Sequence, residues 1–188
     1  VYDQTTQDAL VLGDVAEFLR NNQMVAGVSQ TAYHLRNLSG RHQQAMKALQ
    51  MGLLLEGTGP LFHYDAYSIY HCLELCAPQV NLLQLCHSAV LKLESYDRKN
   101  GTELMGTLHA YLQQNISEAA TALYIHRNTL SKRIDRINDL ISVDLGDAET
   151  VFHLMFSFRI LEYYGVTVMR DSYDSWMEKA QACGIPEW

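Results

Sequence analysis

The sequence predicts a mainly α protein: a C-terminal helix-turn-helix bundle preceded by a helical connector and a small α+β fragment. Three observations predict it. Residues 115–141 divide into a short alanine-rich segment and a longer amphipathic one, with a tight turn between them. Apolar residues recur at helical period through residues 7–21, 38–56, 65–76, 79–96, 103–114 and 148–164. Only residues 24–29 (MVAGVS) and 61–64 (LFHY) are short apolar runs of the kind that form buried strands.

Residues 115–141, NISEAATALYIHRNTLSKRIDRINDLI, organise the rest. The first helix is expected at about residues 117–123 and the second at about 127–141. On a helical wheel advancing about 100° per residue, Leu130, Ile134, Ile137 and Ile141 fall in one narrow, core-facing sector. Asn128, Lys132, Asp135 and Arg136 fall opposite, with Thr129 and Arg133 on one flank. A DNA major groove admits one α-helix; phosphates need Lys or Arg, and base edges need Asn, Ser, Thr or Arg. On periodicity alone such a helix is more often a solvated surface helix. Two details bring the groove level with that reading. Ala119, Ala120 and Ala122 keep the first helix thin enough for the second to cross it closely. His126, Arg127, Asn128 and Thr129 cluster at the end from which helix-turn-helix proteins contact bases, and free N–H groups there suit a phosphate oxygen.

The stretch NISEAATALYIHRNTLSKRIDRINDLISVDL resembles the C-terminal helix-turn-helix signature of the PucR/CdaR-type bacterial transcriptional regulators. That signature is approximately N-I-[SA]-E-T-A-x-x-L-x-[IV]-H-R-N-T-L-x-Y-R-L-x-R-I, followed by an Asp-Leu pair and a long apolar helix. The chain agrees with it at Asn115 to Glu118, Ala120, Leu123, the unbroken run Ile125 to Leu130, Arg133, Arg136, Ile137, Asp144 and Leu145. Lys132 stands where the family has Tyr, Ile134 where it has Leu, and Ala119-Ala120 where it has Thr-Ala. The resemblance implies a sequence-specific regulator whose second helix lies on double-stranded operator DNA. Arg127 and Asn128 would read bases, Lys132, Arg133 and Arg136 would hold phosphates, and Thr129 could do either, with Ser131 on the same surface. His126 would cap the helix or touch a phosphate. Arg133 lies nearest the apolar stripe, so a structural ion pair with an acidic neighbour stands as its alternative. Two copies, as a homodimer or higher oligomer, would meet half-sites about 34 Å apart or a multiple of that. The family also implies a metabolite or partner signal received by upstream domains.

Composition sets the outer bounds. A chain of 188 residues with 48% apolar side chains can bury a real core. The net charge of −7 argues against coating nucleic acid non-specifically, yet residues 127–137 carry four basic side chains against Asp135, a local +3. Cys72, Cys76, Cys86 and Cys183 show no C-x-x-C spacing, and with no signal peptide or spanning apolar run a reducing cytoplasm is expected. His71, Cys72, Cys76, Cys86 and His87 could suggest a metal site, but small apolar side chains in a helical core are the simpler account; no metal or other cofactor is expected. The first residue is not Met and reads like the interior of a domain, as in a piece of a longer regulator.

Four regions follow in order. Residues 1–65 run helix, strand, helix, strand, too few strands for a whole sheet. Gly27-Val28-Ser29, the Gln44-Ala45-x-x-Ala48-Leu49 helix and Phe62-x-Tyr64-Asp65 resemble part of the GGDEF-like domain that precedes the helix-turn-helix in the same regulators. No GG[DE]EF signature occurs, so no cyclase activity is expected. Residues 66–99 form the helical connector, broken at Pro78, and residues 97–102 (DRKNGT) read as a linker with Thr102 as the next N-cap. Residues 100–165 are the expected helix-turn-helix domain, with a bracing helix bearing Leu104, Leu108, Tyr111 and Leu112, and an Asn115–Glu118 capping box or a Ser117 cap. Its last helix is apolar around its circumference, so the module or a dimer contact must cover it, and Gly165 ends it. Residues 166–188, with Tyr173, Trp176, Met177 and Ala180, suggest a short amphipathic helix.

Two rival readings remain open at this point. No G-x-S-x-G or H-E-x-x-H pattern supports catalysis, and a cyclase relic with weak nucleotide binding is the nearest an enzyme reading comes. A protein-interaction module whose helix-turn-helix no longer binds DNA would rest on Lys132 and the acidic total charge.

Overall fold

The computed structural model describes residues 4–32, 34–55 and 57–165. Its described residues are mainly helical, with eight α-helices and one two-stranded sheet, as expected. They fall into two compact units, residues 1–75 and 76–188.

The first unit holds α1 (Gln4–Asn21), β1 (Ala26–Val28), α2 (Leu38–Leu54), β2 (Leu61–His63) and α3 (Tyr64–Cys76). The strands are parallel, with Gly27 opposite Phe62, and parallel strands need a crossover element, which α2 supplies. Glycine decides how closely α2 approaches. A Cβ on Gly27 would lie 1.8 Å from the Ala45 carbonyl oxygen, and one on Gly52 would lie 2.3 Å from the Phe62 ring. Ala48, Met51, Phe62, Tyr70 and Leu73 are the buried apolar residues of this unit, joined by Leu19. The apolar stripe expected on the first helix is not a core face throughout: Val15 and Phe18 are 39% and 59% exposed. A two-stranded sheet has little surface with which to cover another helix. Leu10 and Val11 of that stripe lie outside the described side chains.

The second unit begins with a departure. The single helix expected over residues 79–96 is a 3-10 turn, Leu82–Leu85, followed by α4, Ser88–Asn100. Two side-chain caps impose the break: Asn81 Oδ1 accepts from Leu83 N at 3.1 Å, and His87 Nδ1 accepts from Ala89 N at 3.2 Å. Cap bonds of this kind compete with helix continuation. The linker expected at 97–102 is helical up to Asn100, where Gly101 takes the left-handed conformation (φ 62°) and ends α4.

Helices α5 (Leu104–Gln113), α6 (Ile116–Ala122), α7 (Arg127–Ile141) and α8 (Ala148–Tyr163) complete the unit. Thr102 does not cap α5. Asp97, from the last turns of α4, accepts from Leu104 N at 3.0 Å and Met105 N at 2.7 Å, and Thr102 donates its hydroxyl to the same carboxylate. The core joins Ala89, Val90 and Leu93 of α4 to Leu104, Met105 and Leu108 of α5, the α7 stripe, and Leu154, Phe158 and Leu161 of α8. Burial inside the unit therefore accounts for much of the apolar α8, while Phe152 stays 66% exposed and stacks on Phe156. Gly165 takes φ 72° just beyond α8. The expected tail helix at 166–188 lies outside the described residues.

Candidate nucleic-acid interface

Helices α6 and α7 form the helix-turn-helix, and side chains cap both. Asn115 caps α6, its Oδ1 accepting from Ser117 N and Glu118 N at 3.0 Å each. Ala119 and Ala120 are buried against the core, as the thin first helix requires. At the end of α6, Ile125 N bonds to Ala120 O and Tyr124 N to Thr121 O, the pair of bonds that closes a Schellman turn. Such a turn needs one left-handed residue, usually Gly, and here it is Tyr124 at φ 54°. Its side chain is 97% exposed at the head of α7. The sequence reading passed over Tyr124, because nothing in a residue count marks a tyrosine as the αL position of a turn.

His126 caps α7, its Nδ1 accepting from Asn128 N at 3.2 Å. The accepting Nδ1 leaves the N–H of this ring at Nε2. Of the N–H groups at this helix start, that of Asn128 is taken by the cap. Leu130, Ile134, Ile137 and Ile141 are all buried, none more than 8% exposed, so the wheel found the core face of α7 correctly. Truncating a buried Leu or Ile of this kind typically costs about 2–5 kcal/mol.

The opposite face is open. His126, Arg127, Asn128, Thr129, Ser131, Lys132, Asp135 and Arg136 are all exposed. Arg133 is the exception among the candidate residues. It is half-buried and donates through Nη1 to the hydroxyl of Thr107 on α5 at 3.2 Å, and that hydroxyl donates to the Glu103 carbonyl at 2.9 Å. The partner is thus a neutral hydroxyl rather than an acidic neighbour. Arg136 reaches back to α4 instead, donating through Nη2 to Tyr96 Oη at 3.0 Å with its guanidinium carbon 5.8 Å from the ring centroid. That hydrogen bond pushes the Arg136 guanidinium pKa up.

Both histidines weighed for a metal have other partners. His71 bonds the Tyr64 hydroxyl at 2.9 Å, and His87 is the α4 cap. Cys86 is buried, and desolvation pushes its thiol up to about 11, whereas Cys72 is exposed. Among the described residues no group of three or more His, Cys, Asp or Glu could hold a metal ion, and no helix is long and apolar enough to cross a membrane.

A small-residue helix, a capped turn and a helix buried on one face and cationic on the other define a helix-turn-helix DNA-binding domain. Residues 104–160 match the PucR C-terminal helix-turn-helix domain. The chain is 27% identical over 139 residues to the proline-responsive transcriptional activator PutR of Bacillus subtilis (strain 168), covering 72% of this chain and 34% of that protein. It is 29% identical over 136 residues to the purine catabolism regulatory protein of the same organism, covering 71% and 25%. Over 50 residues it is 46% identical to the carbohydrate diacid regulator of Escherichia coli (strain K12), covering 26% and 13%. The chain thus spans about a third or less of the curated relatives it matches. No solved structure matches. Residues 104–160 thus carry a PucR-type helix-turn-helix domain, and the relatives that the chain resembles are named as transcriptional regulators.

Proposed function

We propose that this chain is the DNA-binding end of a transcriptional regulator and that α7 reads an operator from the major groove. The observation that carries the reading is the N-terminal half of α7, where Arg127, Asn128, Ser131 and Lys132 are exposed on a helix whose other face is sealed into the core. Asn128 and Arg127 read base edges, Lys132 and Arg136 hold phosphates, and Thr129 and Ser131 serve either purpose. His126 fixes the helix start and keeps its Nε2–H for a phosphate. Arg133 reaches a phosphate only by leaving Thr107.

Residues 100–165 form the DNA-binding domain in this reading, and residues 66–99 link it to a partial GGDEF-like region at 1–65, a proposal supported by the parallel β1–α2–β2 arrangement. The protein works as a homodimer or higher oligomer in the cytoplasm, because two copies double a modest local charge and match a two-fold operator. Parts of the protein beyond this chain receive the metabolite signal; the relatives named for proline, purine catabolism and carbohydrate diacids suggest a small catabolic compound.

The test is fluorescence anisotropy of the whole chain on a labelled duplex taken from upstream of its own gene and on a scrambled duplex of equal length. Preference for the first is expected, with Asn128→Ala costing about 1–3 kcal/mol on that duplex only. Lys132→Ala should weaken both alike and flatten the salt slope by about one. Equal binding to both duplexes, untouched by either substitution, would overturn the reading.

A further inference from the structure

We propose that α4 carries a second row of phosphate contacts to duplex DNA, formed by Lys92 and Lys99, and that Tyr96 between them positions Arg136 of α7 for the same backbone. The inference rests on the reading of α7 as the DNA-facing helix and extends it to an element outside the matched domain, residues 104–160.

At about 100° per residue, Lys92, Tyr96 and Lys99 fall within about 60° of one another on α4. Both lysines are exposed, as is Ser88 on the same side, and Ser95 is half-buried there. The carboxylates of α4 point elsewhere: Glu94 pairs with Arg98 on the far flank, and Asp97 caps α5. What remains is a strip of ammonium and hydroxyl donors, the groups that bind phosphate oxygens without regard to sequence.

Tyr96 ties that strip to α7. It is partly buried against the core that joins α4 to α7, and this packing restricts its ring. Arg136, exposed, holds its guanidinium 5.8 Å from the centroid of that ring and donates to its hydroxyl. An arginine carries five N–H donors in a rigid fork; anchoring one on Tyr96 leaves an oriented set facing outward. Asp139, one turn further along α7, is the carboxylate that acts on Arg136, and Asp135 precedes it in the chain, yet neither forms an ion pair with it. An exposed arginine ordinarily loses rotamer freedom on meeting a phosphate. Here the contact with Tyr96 has already removed part of that freedom.

The experiment measures binding of the whole chain to a fluorescein-labelled duplex of mixed sequence across a salt series, with thermal melts of every variant. Lys92→Ala and Lys99→Ala should each lower the slope of log affinity against log salt by about 0.9 and leave the melt unchanged. Tyr96→Phe, which keeps the ring but loses the hydroxyl, should weaken binding about 2- to 10-fold, the range of one hydrogen bond. In an Arg136→Ala background the same change should do nothing. If Lys132→Ala lowers the slope while Lys92→Ala and Lys99→Ala do not, α4 lies off the DNA; the proposal then fails and the reading of α7 survives. If none of the three changes the slope, both fail together. A Tyr96→Phe effect that persists without Arg136 would make Tyr96 structural only and overturn its positioning role.

Discussion

Arg133 donates to the hydroxyl of Thr107, 3.2 Å away, and Thr107 has no exposed surface. The guanidinium that follows Lys132 in the chain is thus turned into the seam between α7 and α5, while Lys132 stands in solvent. Arg133→Ala should lower stability by about 1.5–3 kcal/mol, the usual range for a hydrogen bond to a charged group. It should leave the salt slope of DNA binding near the wild-type value. A slope reduced as much as by Lys132→Ala would mean that Arg133 abandons Thr107 when DNA binds.

The capping of α5 by Asp97 gives a prediction about stability alone. Its carboxylate bonds two N–H groups at a helix start, and Asp97→Ala should cost about 0.5–2 kcal/mol on a chemical denaturation curve. Asp97→Asn, which keeps one acceptor oxygen, should recover part of that. If the alanine variant melts like wild type, the cap contributes nothing and α5 is held by packing only.

His126 separates two roles that the sequence leaves joined. Aspartate is also a good N-cap and its charge suits a helix N-terminus. His126→Asp should therefore melt no lower than wild type while binding DNA more weakly, because a carboxylate would then face the phosphates. Equal affinity would place His126 away from the DNA backbone.

His109 supplies a pH dependence. Burial, with the charge of Arg159 adding to it, lowers its pKa below 6.5 against the opposing pull of Glu162, and its ring lies 4.6 Å from that of Phe158. In the window just below pH 6.5 the unfolded chain takes up a proton that the folded one refuses. Stability should thus be level above that window and fall as pH drops through it. His109→Gln should flatten the difference, measured as denaturation midpoint against pH; identical profiles for the two proteins would show that His109 is readily protonated in the folded state.

Much of the DNA-binding unit is legible in the sequence because local rules determine it. Four aliphatic residues at helical spacing identify the buried face of α7, small residues mark α6, and Asn115 and His126 sit where caps belong. What the sequence hides depends on reach. A wheel assigns Arg133 an angle but cannot say that its side chain meets Thr107, 26 residues earlier. Capping rules examine the residue before a helix, whereas α5 is capped by Asp97, seven residues before Leu104. Residues 79–96 carry a helical stripe throughout, and two competing side-chain caps divide it. Val15 and Phe18 keep their helical spacing while staying exposed, since periodicity records what a helix offers and not what is there to cover it.

The central claim is that DNA meets the chain at the start of α7. Nitrogen-15 amide spectra recorded as operator duplex is added test it directly. The amides of His126 to Lys132 should shift first and furthest, and Asn128→Ala should reduce those shifts at equal DNA concentration. Shifts gathered on another surface, with the start of α7 unmoved at saturating duplex, would contradict the account.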